Sequence, residues 1–237
     1  MKRIIIAFII VLSMTGVSCE DYLDDLALQS GLNEGLVAYW LCNGYSDTFF
    51  VSGRGDIYIY DDYLSNENYL SMLNIDSTAQ GIFGKGIKFL NNSRGGSSLL
   101  KVPEKNGLSV SFWVNVSTFV NQYIFYNTMF SIRTNAANTI QFNFLSNSIE
   151  TNEFQNNKWV YVTCTYDGNV AKLYIDSILK STLFYTGSIV LFNQELKIGN
   201  SVDSATGNWQ GLIDEIRLYN RALSQKEIQA LMKIEVD

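Results

Sequence analysis

Carboxylates, tyrosines and lysines are the main side chains left for chemistry in this sequence, because it contains no histidine. Without an imidazole, Ser-His-Asp catalysis, Cys-His catalysis and histidine metal sites are excluded. Glycoside hydrolysis would need two carboxylates held on either side of the scissile bond. The acids Asp214 and Glu215 are adjacent, so they would face opposite sides of a regular strand, and residues 39–43 contain no acid. The sequence therefore predicts a protein that is not an enzyme.

A tyrosine-rich segment in the first half of the chain has the composition of a carbohydrate-binding surface. Tyr58, Tyr60 and Tyr63 could stack on the C–H faces of sugar rings, and Asn66 could bond to their hydroxyls. Trp209, in a turn rich in Asn and Gly, is a further stacking candidate. Alternatively, Tyr58 and Tyr60 alternate along an extra edge strand and merely pack, as Trp209 would. Exposed tyrosine also suits protein interfaces, so a protein partner stays open.

The N-terminus has the layout of a secretory signal peptide. Two basic residues precede a nine-residue apolar run, residues 4–12, which is too short to span a bilayer. Small side chains then precede a cysteine, and the run Gly16-Val17-Ser18-Cys19 resembles a bacterial lipobox. The resemblance implies cleavage after residue 18 and lipidation of Cys19, whose acyl chains would anchor the protein in a membrane. Ordinary cleavage near Ser18, with Cys19 incidental, is the alternative.

An acidic tether is predicted after the cleavage site, over residues 19–34. Residues 20–25 (EDYLDD) resemble the signal that sends some lipoproteins to the outer leaflet of the outer membrane, and they are similar to the opening of surface glycan-binding lipoproteins of polysaccharide-uptake systems. Without residues 1–18 the chain has 15 basic and 23 acidic residues and a net charge of −8. Because no block of Lys or Arg is present, nucleic-acid binding is excluded.

Short runs of β-branched and aromatic residues, separated by Asn, Gly, Ser and Asp, predict antiparallel strands from residue 35 onward. Twelve runs fit: 35–41, 86–90, 98–102, 108–116, 123–128, 129–134, 139–146, 158–166, 169–175, 178–184, 196–199 and 211–219. Since no strand–helix alternation accompanies them, we expect an all-β, two-sheet sandwich in one domain, residues 35–237.

Two local signals refine the end of this domain. Ser224 and Glu227 form a capping box ahead of an apolar stripe, which predicts a single short helix. Asp214 and Glu215 interrupt the alternation of the last strand, which predicts a bulge.

Two cysteines remain inside the predicted domain, Cys42 and Cys164, both in apolar runs typical of strands. An oxidising compartment permits a disulfide between them, but sequence alone cannot bring two distant Cα atoms within bridging range. A pair of buried free thiols and a disulfide both stay open.

Five ordered motifs resemble those of LamG-like jelly-roll domains, which belong to the concanavalin A-like lectin/glucanase superfamily. The closing motif is the most extensive, and the set covers roughly residues 35–232: 35–40 (GLVAYW), 83–89 (FGKGIKF), 108–114 (LSVSFWV), 158–168 (KWVYVTCTYDG) and 209–228 (WQGLIDEIRLYNRALSQKEI). The resemblance implies an antiparallel jelly-roll sandwich with a short C-terminal helix. Glucanases of the superfamily usually carry a Glu-x-Asp-x-x-Glu type strand pattern, which this sequence lacks.

Calcium is a cofactor that the resemblance implies, because many domains of this fold bind it in loops through acidic and amide oxygens. Asp47 and Asp214 are the nominated ligands. A solvated or hairpin-capping carboxylate is the alternative at either position.

These observations lead to one expected function and two alternatives. We expect a non-catalytic, carbohydrate-binding surface lipoprotein of the outer membrane that helps to capture polysaccharide. The alternatives are a protein-binding adhesion module and a divergent glycoside hydrolase.

Overall fold

The computed structural model describes residues 31–51, 55–64, 68–100, 106–189, 194–200 and 209–233. The predicted signal peptide, the lipidation site Cys19, most of the tether and Asn66 lie outside the described residues. Within those ranges, no helix has the length and apolar character needed to cross a membrane.

The described residues form fifteen strands followed by a C-terminal helix. The strands are β1 (Leu36–Trp40), β2 (Asp47–Val51), β3 (Gly55–Tyr60), β4 (Leu70–Asp76), β5 (Ile87–Leu100), β6 (Leu108–Val116), β7 (Gln122–Tyr126), β8 (Phe130–Thr134), β9 (Ile140–Phe144), β10 (Asn147–Thr151), β11 (Trp159–Tyr166), β12 (Val170–Ile175), β13 (Ile178–Phe184), β14 (Gln194–Ile198) and β15 (Gly211–Tyr219). The helix is α1 (Gln225–Leu231).

The strands pair antiparallel and form two layers. The front layer has the order β1-β15-β6-β11-β12-β13, and the back layer has the order β10-β9-β8-β7-β14-β5-β4-β3-β2. The long strand β5 joins the layers, because Ile87 and Phe89 near its start pair with β15 whereas Gly95 and Leu100 near its end pair with β14.

Apolar side chains of the two layers meet in one core. The ring centroids of Phe112 on β6 and Phe125 on β7 lie 4.8 Å apart, and those of Phe144 on β9 and Tyr166 on β11 lie 5.2 Å apart. Contacts of this kind between facing sheets define a β-sandwich. The predicted all-β, two-sheet jelly-roll sandwich is confirmed.

The predicted strands agree with the structure where alternation is regular. The bounds of β6, β13 and β15 are those predicted. Two predicted runs, 86–90 and 98–102, fall largely within the single strand β5, and strands β2, β4 and β10 were not predicted. Strand β3 is the extra strand that was the alternative for Tyr58 and Tyr60, but it pairs with both β2 and β4 and is therefore not an edge strand.

The central strands of the front layer, β15, β6 and β11, are buried on both faces, whereas its edge strand β13 and the outer face of the back layer are open. In β11 every residue after Trp159 is buried, whereas β9 alternates buried and half-buried positions. The Ser109 hydroxyl on β6 donates to the Arg221 carbonyl at 2.7 Å and accepts from the Leu223 N–H at 2.9 Å. The segment leading into α1 therefore lies over the outer face of the front layer. The capping box of Ser224 and Glu227 that starts α1 is present as predicted.

Strand β15 bulges at Asp214 and Glu215, as the interrupted alternation predicts. The pairing register with β6 shifts between Asp214 and Arg217, and Glu215 has a φ of 54° in the left-handed region. Both acids are fully buried.

A buried ion pair compensates the charge of Glu215. Its carboxylate accepts from the Tyr39 hydroxyl of β1 and from Arg217 Nη2, the latter at 2.8 Å. The guanidinium carbon of Arg217 lies 3.9 Å from the centroid of the Tyr39 ring, which adds a cation–π contact. The pair thus links the bulge of β15 to the neighbouring strand β1.

Removing the cation of this pair should destabilise the fold strongly. Arg217→Met leaves the buried Glu215 carboxylate without its compensating charge, so we expect the free energy of unfolding to fall by about 3–5 kcal/mol. Urea denaturation followed by circular dichroism measures the loss. Glu195→Gln is the control, because the Lys197–Glu195 pair spans 3.7 Å with Glu195 exposed to solvent, and it should contribute less than about 1 kcal/mol. Equal losses in the two variants would contradict an anchoring role for Arg217.

Candidate functional site

The tyrosine-rich segment folds as an extension of the back layer, and its tyrosines separate. Tyr60 is buried in the core opposite Leu70 of β4, so it cannot stack on a sugar, and the prediction is corrected here. Tyr58 is half-buried and packs edge-on against Tyr45, with centroids 4.9 Å apart. Tyr63 is 58% exposed, beside Tyr39 at 5.5 Å, and stays a candidate contact residue. Tyr58 and Tyr60 therefore pack on an extra strand, as the alternative interpretation predicts.

Trp209 is also buried in the core, which corrects its prediction as a stacking platform. Its ring packs edge-on against Phe89, with centroids 4.9 Å apart. The backbone N–H of Trp209 donates to the Gly199 carbonyl at 2.8 Å. A Cβ on Gly211 would lie 2.6 Å from the Trp209 ring, so the first residue of β15 must be glycine for the indole to fit.

Cys42 and Cys164 are both free and buried, as the free-thiol alternative describes them, and they do not form the possible disulfide. Cys164 faces the core from β11, and the Cys42 thiol lies 3.5 Å from the Trp40 carbonyl. Burial raises the pKa of both thiols well above the ordinary value. Neither cysteine is therefore placed to act as a nucleophile.

The acids nominated for calcium lack the surroundings that the ion requires. Both oxygens of Asp214 accept N–H groups: Oδ2 from Ile82 at 2.9 Å and Phe83 at 3.3 Å, and Oδ1 from Glu215 at 2.9 Å. Calcium would need further oxygen ligands there, not N–H donors. Asp47 is exposed on β2, where its Oδ1 accepts the Thr48 N–H at 2.7 Å. In the described part of the chain, no three Cys, His, Asp or Glu residues cluster as a metal site would require. The groups that surround Asp47 and Asp214 therefore do not suit calcium.

Asp214 organises the turn before β5 instead. A Cβ on Gly81 would lie 2.4 Å from Asp214 Oδ2, so glycine lets that turn approach the carboxylate. Burial raises the pKa of Asp214 to about 7; the N–H groups of Phe83 and Ile82 oppose the shift, and the charge of Glu215 adds to it.

The raised pKa of Asp214 predicts stability that falls as the pH rises. Between pH about 4 and 7 the native state holds a proton that the unfolded chain has released, so the free energy of unfolding declines by up to about 1.4 kcal/mol per pH unit. Asp214→Asn keeps an oxygen acceptor and removes the titration. Denaturation of both proteins from pH 4 to 8 should show the wild type losing stability relative to the variant over this window. Parallel pH profiles would refute the assignment.

An open cleft lies where the loop between β10 and β11 meets the turn between β12 and β13. Its volume is about 500 Å³. Half-buried Trp159, the first residue of β11, lines it together with exposed Asn152, Gln155, Lys158 and Asp176. We call this opening the Trp159 cleft.

The polar walls of the Trp159 cleft are held by local structure. Asp176 and Ser177 have φ values of 49° and 63°, which suit the two-residue turn of the β12–β13 hairpin. The Asp176 carboxylate accepts the Tyr161 N–H at 2.9 Å. On the other side, Phe154 is buried in the core, and Glu153 forms an ion pair with Lys180 of β13. The cleft therefore combines an indole with positioned amides and charges.

A row of polar side chains crosses the open face of the back layer. Tyr123, Arg133, Gln141 and Glu150 are register partners on β7, β8, β9 and β10. Arg133 Nε donates to Gln141 Oε1 at 2.7 Å, and Gln141 Nε2 donates to the Glu150 carboxylate. Tyr126 packs edge-on against Tyr123 at 5.5 Å. We call these four register partners the Tyr123 row.

Sequence reasoning missed both features. Trp159 was interpreted only as part of a strand motif, and its exposure depends on a loop that alternation does not describe. Three members of the Tyr123 row lie in predicted strands, and Glu150 lies outside them. That the four side chains line up across neighbouring strands depends on the register in which the strands pair. Alternating polar positions in 129–134 and 139–146 were the available signal.

Several solved structures share this fold. Domain 4 of AbnA, an extracellular arabinanase from Geobacillus stearothermophilus in complex with arabinotriose, has 19% identity and a TM-score of 0.59, covering 84% of this chain and 98% of that one. The ligand-binding domain of botulinum neurotoxin serotype D in complex with N-acetylneuraminic acid has 13% identity and a TM-score of 0.60. The match covers 87% of this chain and 52% of the toxin chain. Trypanosoma rangeli sialidase has 12% identity and a TM-score of 0.61, and the match covers 86% of this chain and 34% of the sialidase chain.

These likenesses show a common fold. The match spans 52% of the toxin domains, so it covers about half the length of those chains. A search among curated proteins finds no match to the sequence.

The family model for the concanavalin A-like lectin/glucanases superfamily, Laminin_G_3, matches residues 94–229. The match runs from within β5 to within α1 and takes in more than half of the chain. The motifs and the sandwich agree with it. The chain belongs to the concanavalin A-like lectin/glucanases superfamily.

Proposed function

We propose that this protein is a non-catalytic, lectin-like carbohydrate-binding protein, and that the Trp159 cleft is its binding site. The observation that carries the proposal is the half-buried indole of Trp159 in an open cleft beside Asn152, Gln155 and Asp176. A sugar ring offers an apolar C–H face and several hydroxyls, so it needs an aromatic surface next to amide and carboxylate partners.

Fold relatives that bind sugars support this proposal. The arabinanase domain was solved with arabinotriose, and the toxin domain was solved with N-acetylneuraminic acid. Their identities to this chain are too low to transfer a site, so the binding residues are argued from the cleft alone.

The burial of the closing-strand acids supports a role without catalysis. Asp214 is held by three backbone N–H groups, and Glu215 is paired with Arg217 and Tyr39. Neither carboxylate can reach a glycosidic oxygen in this arrangement, whereas hydrolysis needs two that flank the bond.

The proposed location follows from the N-terminal sequence. Lipidation at Cys19 and the acidic tether after it would place the domain on the outer face of the outer membrane. There the protein would hold polysaccharide close to the cell for uptake.

The test is a glycan array with the chain carrying Cys19→Ser, which removes the proposed lipid site. We expect binding to one glycan class, weakened about tenfold or more by Trp159→Ala and by Gln155→Ala, since one lost contact of about 1.4 kcal/mol gives that factor. Chelator should change nothing, because the nominated calcium ligands do not fit the ion.

The matched control is Phe184→Ala, which removes an aromatic ring that is 81% exposed on β13 outside the cleft. It should bind like the parent. Unchanged binding by both cleft variants would refute the site, and release of sugar from any bound glycan would refute the absence of catalysis.

Protein binding remains the second candidate, because strand β2 exposes two phenylalanines. Phe49 is 53% exposed and Phe50 is 75% exposed, and β2 pairs only with β3 in the described chain. Exposed aromatics on an edge strand suit strand addition by a partner protein. A folded protein that binds nothing on the array, yet cross-links to an outer-membrane protein in a way that Phe50→Ser abolishes, would favour this candidate.

A further inference from the structure

The Tyr123 row runs towards the Trp159 cleft and ends next to it. Glu150, the last member of the row, lies on β10, and Asn152 of the cleft follows two residues later. Two peptide units span at most about 7 Å, so the row and the cleft adjoin at this edge of the back layer. The ion pair of Glu153 with Lys180 holds the connecting loop against β13.

The row has the length of several sugar units. Four neighbouring strands at the usual separation span about 14 Å from β7 to β10, and the cleft extends the path beyond β10. All members are at least partly exposed on a face that the described residues leave open.

The side chains of the row are fixed in place and still able to bond. Arg133 lies over the Tyr123 ring, 6.0 Å from its centroid, and uses one N–H to reach Gln141. A guanidinium has five N–H donors, so several remain for ligand hydroxyls. The Tyr123 and Tyr126 rings supply an aromatic surface at the far end.

The charges along this path balance. In the row, Arg133 and Glu150 lie on either side of Gln141 and both bond to it. At the cleft, Lys158 and Lys180 accompany Asp176 and Glu153. The chain as a whole has a net charge of −6, which disfavours an anionic ligand.

Resting on the proposed function, we infer that the ligand is an extended, neutral oligosaccharide, bound along the Trp159 cleft and the Tyr123 row together, rather than a single terminal sugar. The cleft holds one ring against Trp159, and the row bonds to the units that follow. Affinity then depends on chain length, because each added unit gains contacts on a surface that is already ordered.

Isothermal titration with neutral oligosaccharides of two to six units tests this inference. The probes are arabino-, xylo-, malto- and laminari-oligosaccharides, with oligogalacturonates as acidic counterparts. For the series that binds, we expect affinity to rise at least tenfold from two units to six. Arg133→Ala and Gln141→Ala should remove most of this gain and leave disaccharide binding unchanged, whereas Trp159→Ala should weaken every length. Lys226→Ala, exposed on α1, is the control and should match the parent.

Each contrary result has a distinct meaning. Hexasaccharide binding that is unaffected by both row variants would overturn the extended site while leaving a cleft-only lectin intact. Tighter binding of oligogalacturonates would overturn the neutral ligand. A folded protein that binds no oligosaccharide of any length would overturn this inference and the proposed function together.

Discussion

The burial of two adjacent carboxyl groups, Asp214 and Glu215, in the closing strand β15 is the constraint on which the rest of the fold depends. The bulge in β15 directs Asp214 to the turn at residues 81–83 and gives Glu215 the guanidinium of Arg217 and the hydroxyl of Tyr39. An uncompensated charge at this depth would cost several kcal/mol, so each partner has to be in place when the strand closes. Strand β15 also pairs with β1, β5 and β6, which ties both layers to the same point.

This arrangement separates the part of the domain that maintains the fold from the part that can meet a ligand. The acids, the buried tyrosines and the segment before α1 lie in or over the central strands of the front layer, β15, β6 and β11, which are buried on both faces. Open polar surface lies on the outer face of the back layer and in the cleft at its β10 edge. Polar side chains there bond to one another across strands, which presents an ordered surface to a ligand without a further ordering cost.

Local patterns in the sequence were sufficient for much of the fold. Alternation located β6, β13 and β15, the Ser224–Glu227 spacing located the helix start, and the adjacent acids located the bulge. Contacts between residues distant in sequence determined which aromatic side chains are exposed and which are buried. Tyr60 and Trp209 looked like sugar platforms by composition, but strand pairing with Leu70 and the position of Phe89 bury them. Trp159 and the Tyr123 row depend on a loop path and on cross-strand register, which single-sequence periodicity does not encode.

Nuclear magnetic resonance of the protein labelled with ¹⁵N-tryptophan tests the central claim most directly. Each of the four indoles gives its own N–H signal, and the buried Trp40 and Trp209 serve as internal references. During titration with the tightest-binding oligosaccharide of the array, the account predicts that the Trp159 signal shifts in a saturable way while those two stay fixed. A Trp159 signal that does not move at saturation would contradict glycan binding in the cleft.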